Sequence, residues 1–396
     1  MLYALYETLK PWLIEHGLDS ALQVFEQGSF RAFAAGLIAF AAVVIAGRPV
    51  IRWLRAKKIG DSGQTDAGAL QATARSKKDT PTMGGLLIVG AVGLACATLG
   101  DIVSNFYLQL GLIVTLWLAA IGGVDDWLKL TAAARARRGL PGGGRQGLYA
   151  WEKLVFQLGL GLLVGVFAYR HGLAAEGPSL AHVVNLPFQK TFERVSGPPA
   201  AALWYMPMWL YVSICTVGIA GMSNAANISD GMDGLAAGVA AVAAVALGVL
   251  AAIAGDAETA QFLLLPHVTG STELAVLAGA LAGACLGFLW YNCSPASVFM
   301  GDTGALAIGG LLAYVGIIVR HEALLVLICL VFVAELGSVA LQVGYFKLTG
   351  GKRIFKVAPY HHHLHMIGWT EQQVVARFWI ITALLAMLAL ASIKLR

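Results

Sequence analysis

Apolar residues occur in long runs separated by polar segments. Ten such runs lie near residues 30–46, 83–99, 105–122, 154–169, 203–220, 235–254, 273–291, 305–319, 322–345 and 374–393. Each is close to the ~20 residues that a helix needs to cross a hydrocarbon core of ~30 Å. Because the backbone in lipid must satisfy its own hydrogen bonds, the runs indicate helices. The pattern predicts an all-α polytopic membrane protein with about ten transmembrane helices.

Composition supports this fold class. Hydrophobic residues make up 58% of the chain and charged residues only 12%, whereas soluble domains carry about 25% charged residues. A soluble core could bury one or two long apolar runs, but not ten. Residues 1–29 mix Glu7, Lys10 and Glu15 with apolar residues, which is typical of an interfacial segment. Residues 30–396 are then predicted to form one ten-helix transmembrane domain.

The distribution of basic residues predicts the orientation in the membrane. Of the 27 Lys and Arg residues, 19 lie in or beside the loops that follow odd-numbered runs. The positive-inside rule therefore places these loops in the cytoplasm and both termini in the periplasm. The net charge of +5 is explained by topology, and no nucleic-acid partner is predicted. A basic cytoplasmic face also attracts anionic substrates and lipids of the bilayer.

Aspartates in three of the predicted cytoplasmic loops lie beside the ends of apolar runs. Asp125 and Asp126 follow the third run, Asp230 and Asp233 precede the sixth, and Asp302 precedes the eighth. Taken singly, such residues are often solvated acids or helix caps. Together they would repel each other unless a cation joins them, and carboxylate oxygens suit Mg²⁺. The set therefore predicts a magnesium site on the cytoplasmic side.

Amide side chains accompany these acids. Asn224, Asn227 and Asp230 are spaced by three residues and so share one face of a helix. Two amides and an acid on one surface suit the recognition of a base or a sugar. The Gly-Asp-Thr-Gly segment at 301–304 opens a predicted helix, whose N-terminus favours anions.

Cationic and imidazole groups complete the set of reactive residues. Lys77 precedes the Thr80-Pro-Thr82 segment and offers a donor to phosphate, with snorkelling at the membrane surface as the alternative. The histidines at 361–363 suit phosphate binding, proton transfer or metal binding. Consecutive helical side chains point about 100° apart, which disfavours a zinc site that uses all three.

Taken together, the loops predict a site at the cytoplasmic lipid boundary. Such a site would bring a water-soluble phosphorylated substrate to a membrane-embedded one. A secondary transporter is the alternative from another class, but transporters place their binding groups near the bilayer midplane. Here the spans are nearly free of charge apart from Glu335.

Five segments carry a resemblance to a known family. They are Thr80-Pro-Thr-Met-Gly-Gly85, Asp125-Asp-Trp-Leu-Lys129, the Asn224 to Leu235 segment, Phe299-Met-Gly-Asp302-Thr-Gly304 and Ala358-Pro-Tyr-His-His-His363. The chain resembles the polyprenyl-phosphate N-acetylhexosamine-1-phosphate transferases. Its Pro-x-His-His-His segment is similar to that of the phospho-N-acetylmuramoyl-pentapeptide transferase family within this superfamily.

The resemblance implies a reaction, a cofactor and partners. UDP-N-acetylmuramoyl-pentapeptide and undecaprenyl phosphate would give lipid I and UMP with Mg²⁺, for peptidoglycan synthesis at the bacterial inner membrane. It also implies a homodimer. The nearer alternative is a relative that uses UDP-N-acetylglucosamine. Direct attack by the lipid phosphate is favoured, and a covalent two-step route stays open.

The resemblance also implies roles for residues. Asp302 would be the main metal ligand, Asp125 would activate or orient the lipid phosphate, and Asp126 would support the metal or that phosphate; with His361 they form the catalytic set. The remaining positions are expected to bind substrate: Lys77, Thr82, Lys129, Asn224, Asn227, Asp230, Asp233, Asn292, Phe299, Gln342, His362 and His363.

Overall fold

The structure is a computed structural model of the 396-residue chain. It describes residues 2–57, 80–137, 147–174, 180–186, 191 and 203–393. Within these ranges the fold is helical, and an isolated antiparallel bridge joins Val183 and Tyr205.

Fifteen α-helices occur in the described part of the chain. They are α1 (Leu2–Glu15), α2 (Asp19–Leu22), α3 (Gly28–Ala56), α4 (Gly85–Leu99), α5 (Phe106–Arg137), α6 (Ala150–Ala174), α7 (Met208–Ser229), α8 (Leu235–Gly255), α9 (Ala257–Phe262), α10 (Thr272–Asn292), α11 (Gly301–Ile318), α12 (Glu322–Ile328), α13 (Leu330–Leu348), α14 (Tyr360–Met366) and α15 (Glu371–Ser392).

The predicted fold class is confirmed at the level of a polytopic helical membrane protein. Nine helices in the described ranges are long and apolar enough to cross a membrane: α3, α5, α6, α7, α8, α10, α11, α13 and α15. Helix α4 is apolar but has only 15 residues. All ten apolar runs lie in helices, whereas the number of membrane crossings and the position of the termini stay predictions.

The prediction of one continuous span over residues 322–345 is wrong. Helix α12 ends at Ile328 and α13 begins at Leu330, with Cys329 between them. The two pieces have different neighbours, because α12 packs against α11 and α15 while α13 packs mainly against α7. Hydropathy reports burial in lipid or protein, and so it does not reveal a break between two equally apolar pieces.

Helix α11 forms the centre of the bundle. Every residue from Thr303 to Ile318 is buried, and the helix packs against α4, α5, α7 and α8. The outer helices α3, α6, α13 and α15 bury one face and expose apolar residues on the other. The first turn of this central helix carries Asp302, so the best-packed element positions the main candidate metal ligand.

Small residues allow the helices to approach closely. A Cβ at Gly283 in α10 would overlap the carbonyl group of Gly36 in α3, and one at Gly279 would overlap that of Ala32. Glycines on facing helices bring backbones into contact, which is a common packing mode in membranes. This tight pair fixes α10 and hence the loop that follows it, which leads into α11.

The far end of the bundle is closed by buried polar networks. Arg31 pairs with Glu273 at the start of α10. Past the end of α11, Arg320 pairs with Glu322 at 2.6 Å and donates to the carbonyl of Val183 at 3.1 Å. With 18 residues in α11 and a rise of about 1.5 Å per residue, Arg320 lies roughly 27 Å from Asp302 along the helix axis.

Candidate active site

Three carboxylates meet at the N-terminus of α11. Asp125 and Asp126 lie on α5 and Asp302 lies in the first turn of α11. One oxygen from each of the three lies within 4.8 Å of the others. Asp125 is 0% exposed and Asp126 is 4% exposed. Three of the five aspartates that were expected to converge thus lie together, and Asp302 is the most accessible of the three.

Two lysines lie against this carboxylate cluster. The Nζ atom of Lys153 is 2.6 Å from Asp302 Oδ2 and 3.1 Å from Asp125 Oδ2. That of Lys129 is 2.6 Å from Asp125 Oδ2 and 3.4 Å from Asp302 Oδ1. The backbone N–H of Leu148 also donates to Asp125 Oδ1, at 2.7 Å. Three carboxylates and two ammonium groups leave the cluster with a formal charge of −1.

Asp126 has a different set of partners. It accepts hydrogen bonds from the backbone N–H groups of Asp302 (3.2 Å) and Thr303 (3.0 Å), and from the Thr303 hydroxyl (2.7 Å). These N–H groups belong to the first turn of α11, where no intrahelical acceptor exists. A carboxylate there is also favoured by the helix dipole. Asp126 therefore holds the helix end that carries Asp302.

Glycines make this arrangement possible. The N–H groups of Gly84 and Gly85 donate to the carbonyls of Phe299 and Met300, each at 2.8 Å. A Cβ at Gly85 would overlap the backbone of α11 at Gly304, and one at Gly301 would lie 3.0 Å from Thr82 Oγ1. The segment after Thr80 and the segment before α11 are thus joined at the site.

The loop between α7 and α8 forms a second wall. Burial, together with the neighbouring carboxylates Asp302 and Asp126, raises the pKa of Asp230 well above its ordinary value. Asp233 Oδ2 accepts from the N–H of Ala296 at 3.1 Å. Asn292 accepts from the N–H of Gly234 and donates to the carbonyl of Val298. Asn292 therefore links two loops through their backbones.

The Asn224 amide is held by a chain of hydrogen bonds. Its nitrogen donates to the carbonyl of Ala220 at 2.8 Å and to Gln157 Oε1 at 2.7 Å. Gln157 is fully buried and donates onward to the Ser223 hydroxyl at 3.2 Å. Because both donors of Asn224 face these partners, its carbonyl oxygen remains to accept from a substrate donor.

The three histidines have separate surroundings. His361 is 0% exposed and its Nδ1 lies 3.0 Å from Glu335 Oε2. The ring of His362 lies 4.1 Å from that of His361 between centroids. His363 instead packs on Phe355, and its Nδ1 accepts from the N–H of Lys356 at 3.2 Å.

Gln342 organises the loop before the histidines. Its Oε1 accepts from the N–H groups of Ile354 and Phe355, at 3.1 and 2.9 Å. Of the remaining predicted residues, Asn227 and Phe299 are half-buried. Lys77 lies outside the described residues. The substrate roles of all these residues stay predictions.

Three site residues were not predicted from the sequence. In the sequence, Lys153 is distinguished only as one of the basic residues of the predicted cytoplasmic face, and no motif marks Gln157, one turn later on the same helix. Glu335 stood out as the charge inside a span, but nothing connected it with His361. Only the packing of α6 and α13 against the site brings these side chains to it.

The carboxylate cluster fits a hard divalent cation. Its donors are all carboxylate oxygens, which Mg²⁺ prefers, and two ammonium groups already lie where positive charge is needed. Asp302 and Asp125 have oxygens that face these cations, whereas Asp126 is engaged with α11. The cluster could therefore hold a metal ion.

Comparisons with known proteins agree with one another. The family model for glycosyl transferase family 4 matches residues 108–320, and a phospho-N-acetylmuramoyl-pentapeptide-transferase signature matches residues 77–89. The chain is 41% identical over 396 residues to the phospho-N-acetylmuramoyl-pentapeptide-transferase of Thermodesulfovibrio yellowstonii, and the alignment covers 100% of both chains. It is 39% identical over 381 residues to the protein of the same name from Desulfotalea psychrophila, with 96% of this chain and 98% of the relative covered. The protein of the same name from Fusobacterium nucleatum is 39% identical to this chain over 385 residues. That alignment covers 97% of this chain and 98% of the relative.

Proposed function

Because the chain belongs to the phospho-N-acetylmuramoyl-pentapeptide-transferase family, we propose that it performs that transfer to a lipid carrier. UDP-N-acetylmuramoyl-pentapeptide would donate phospho-N-acetylmuramoyl-pentapeptide to undecaprenyl phosphate, which gives lipid I and UMP for peptidoglycan synthesis. The enzyme would act at the inner membrane with Mg²⁺. The alternative donor, UDP-N-acetylglucosamine, is disfavoured because the relatives that match over nearly the whole chain are named for phospho-N-acetylmuramoyl-pentapeptide transfer.

The observation that carries the proposal is the cluster of three carboxylates and two lysines at one end of the helix bundle. Transfer between two phosphates requires cations, because the attacking and leaving groups are both anions. Lys129 and Lys153 supply two positive charges. Asp302, with Asp125 beside it, would hold Mg²⁺, which when bound neutralises phosphate charge and supports the leaving group.

Direct attack by the lipid phosphate fits the surroundings of Asp125. Its Oδ1 accepts a hydrogen bond from the Leu148 N–H, and its Oδ2 forms ion pairs with Lys129 and Lys153; a carboxylate engaged in this way is a weak nucleophile. A lipid phosphate oxygen would attack the phosphorus that bears the sugar. The new P–O bond forms as the pyrophosphate P–O bond breaks, and UMP leaves with the electron pair.

In this scheme Asp125 orients the lipid phosphate through the lysines that it holds. Asp126 keeps the first turn of α11, and with it Asp302, in place through three hydrogen bonds. The Asn224 carbonyl and the loop that bears Asp230 and Asp233 would bind the nucleotide and the sugar. His361 and His362 would contact phosphate or sugar-peptide from the adjoining wall. The homodimer and the periplasmic termini are part of the same proposal.

The test is UMP release by purified Asp302→Ala in detergent micelles that contain undecaprenyl phosphate and Mg²⁺. We expect at least a 10³-fold loss of turnover, typical of removing a group that stabilises transition-state charge. Asp256→Ala is the matched control, since Asp256 is an exposed cap of α9. Size-exclusion chromatography would show that both variants are folded. Turnover like that of the wild type in Asp302→Ala would refute the assignment.

A further inference from the structure

Glu335 is a buried carboxylate inside a membrane-spanning helix. It lies on α13 and is 1% exposed. Ionisable groups are costly in this environment, and those that persist there usually have a partner and a function. The sequence of α13 is otherwise apolar around this position. What Glu335 contacts therefore indicates why it is there.

Both carboxylate oxygens of Glu335 face one residue. The backbone N–H of His361 donates to Oε1 at 3.1 Å, and His361 Nδ1 lies 3.0 Å from Oε2. An ionised carboxylate only accepts hydrogen bonds, so this contact is a hydrogen bond when Nδ1 carries the proton. In that tautomer the ring has its lone pair on Nε2. A carboxylate that holds a histidine in this way fixes both the tautomer and the orientation of the ring.

Within the described residues, the other ring nitrogen has no hydrogen-bond partner. His361 Nε2 is buried and lies against Gly231. A Cβ placed on Gly231 would overlap it. Asp230 is close enough to Asp302 and Asp126 to interact with their charges. The free nitrogen is thus aimed into the wall of the carboxylate site.

We propose that Glu335 is a positioning residue, which orients His361 and holds it in the Nδ1–H tautomer so that Nε2 serves the reaction site. This inference rests on the proposed function. The alternative is a purely structural role, in which Glu335 only accepts a hydrogen bond from the backbone N–H of His361 at the start of α14. A purely structural role would need only the Oε1 hydrogen bond to that N–H.

The Glu335→Gln variant separates these two roles. The amide oxygen of the introduced side chain can keep the hydrogen bond to the His361 backbone N–H. Its NH₂ group then faces Nδ1 and can only donate. The ring must respond by moving its proton to Nε2, which reverses the tautomer. The backbone N–H of His361 at the start of α14 keeps its hydrogen bond. The Nε2 atom of His361, which faces the site, changes from acceptor to donor.

The kinetic measurement is UMP release with saturating undecaprenyl phosphate and varied UDP-N-acetylmuramoyl-pentapeptide. We expect Glu335→Gln to lower kcat by about 10- to 100-fold, the usual cost of losing a supporting partner. KM for the nucleotide should change by less than about threefold, because Glu335 is 1% exposed and would act through His361. Ser338→Ala is the matched control, because Ser338 is buried one turn further along α13 and its hydroxyl donates to the backbone carbonyl of Glu335. It should behave like the wild type.

The spectroscopic measurement is the ¹⁵N spectrum of histidine-labelled protein, with His361 assigned from the signals lost in His361→Gln. We expect the Nδ1–H tautomer in the wild type and in Ser338→Ala, and the Nε2–H tautomer in Glu335→Gln. A variant with wild-type kcat, or with reduced kcat and an unchanged tautomer, would overturn the positioning role. If the wild-type protein released no UMP, the proposed function would fail instead, while the tautomer result would still stand by itself.

Discussion

Replacing Lys153 by methionine tests how the charge of the carboxylate cluster is balanced. The change keeps the length of the side chain and removes the ammonium group that lies between Asp302 and Asp125, at 2.6 and 3.1 Å. Lys153 is only 16% exposed, so water cannot replace its charge well. The formal charge of the cluster would change from −1 to −2 just where two phosphates must bind.

The expected magnitude follows from these distances. At an effective dielectric constant of about 20, the two contacts give gross attractions of about 6 and about 5 kcal/mol. Desolvation of the ammonium group offsets most of this attraction. Removing one partner of a buried charge pair at a binding site costs about 2–5 kcal/mol of binding free energy, and we expect about 3 kcal/mol because Lys129 remains. About 3 kcal/mol corresponds to a loss of roughly 10²-fold in kcat/KM.

The assay is the initial rate of UMP release at low nucleotide concentration and saturating Mg²⁺. Lys57→Met is the control, since Lys57 is exposed beyond the end of α3 and should not affect the rate. Mg²⁺ binding should survive in Lys153→Met, because every carboxylate is retained. A kcat/KM within twofold of the wild-type value would refute this account of the charge balance.

Two further predictions concern packing and pH. Gly85→Ala should reduce UMP release by at least about tenfold, because the added Cβ would overlap the backbone of α11. The control is Gly93→Ala in the same helix, whose Cβ meets nothing within 4 Å and which should keep its activity. Equal rates of UMP release in the two variants would contradict this packing prediction. The raised pKa of Asp230 means that the folded, metal-free protein binds this proton more tightly than the unfolded chain does. Thermal stability without Mg²⁺ should therefore fall as pH rises from about 4 through the raised pKa. Asp230→Asn should lessen that fall, and an unchanged pH profile of the melting temperature would count against it.

The helices were predictable because lipid imposes a simple rule on sequence. Ten apolar runs of spanning length lie in helices, since no other open structure satisfies the backbone there. The break at Cys329 was missed because α12 and α13 are both apolar and differ only in their packing partners.

The candidate site was predictable where its residues cluster in loop motifs. Asp125, Asp126 and Asp302 come together as expected. Lys153 and Glu335 were missed because neither belongs to a loop motif, and only the packing of its helix decides what each contacts. The engagement of Asp126 with three donors from α11 likewise depends on tertiary structure.

The most direct test of the central claim is to offer the purified protein both UDP-N-acetylmuramoyl-pentapeptide and UDP-N-acetylglucosamine, with undecaprenyl phosphate and Mg²⁺. Release of UMP and formation of the lipid-linked product would be measured for each donor. The account predicts UMP and lipid I from the muramoyl-pentapeptide donor and only background release from UDP-N-acetylglucosamine. Equal or faster turnover of UDP-N-acetylglucosamine, or no UMP from either donor, would contradict it.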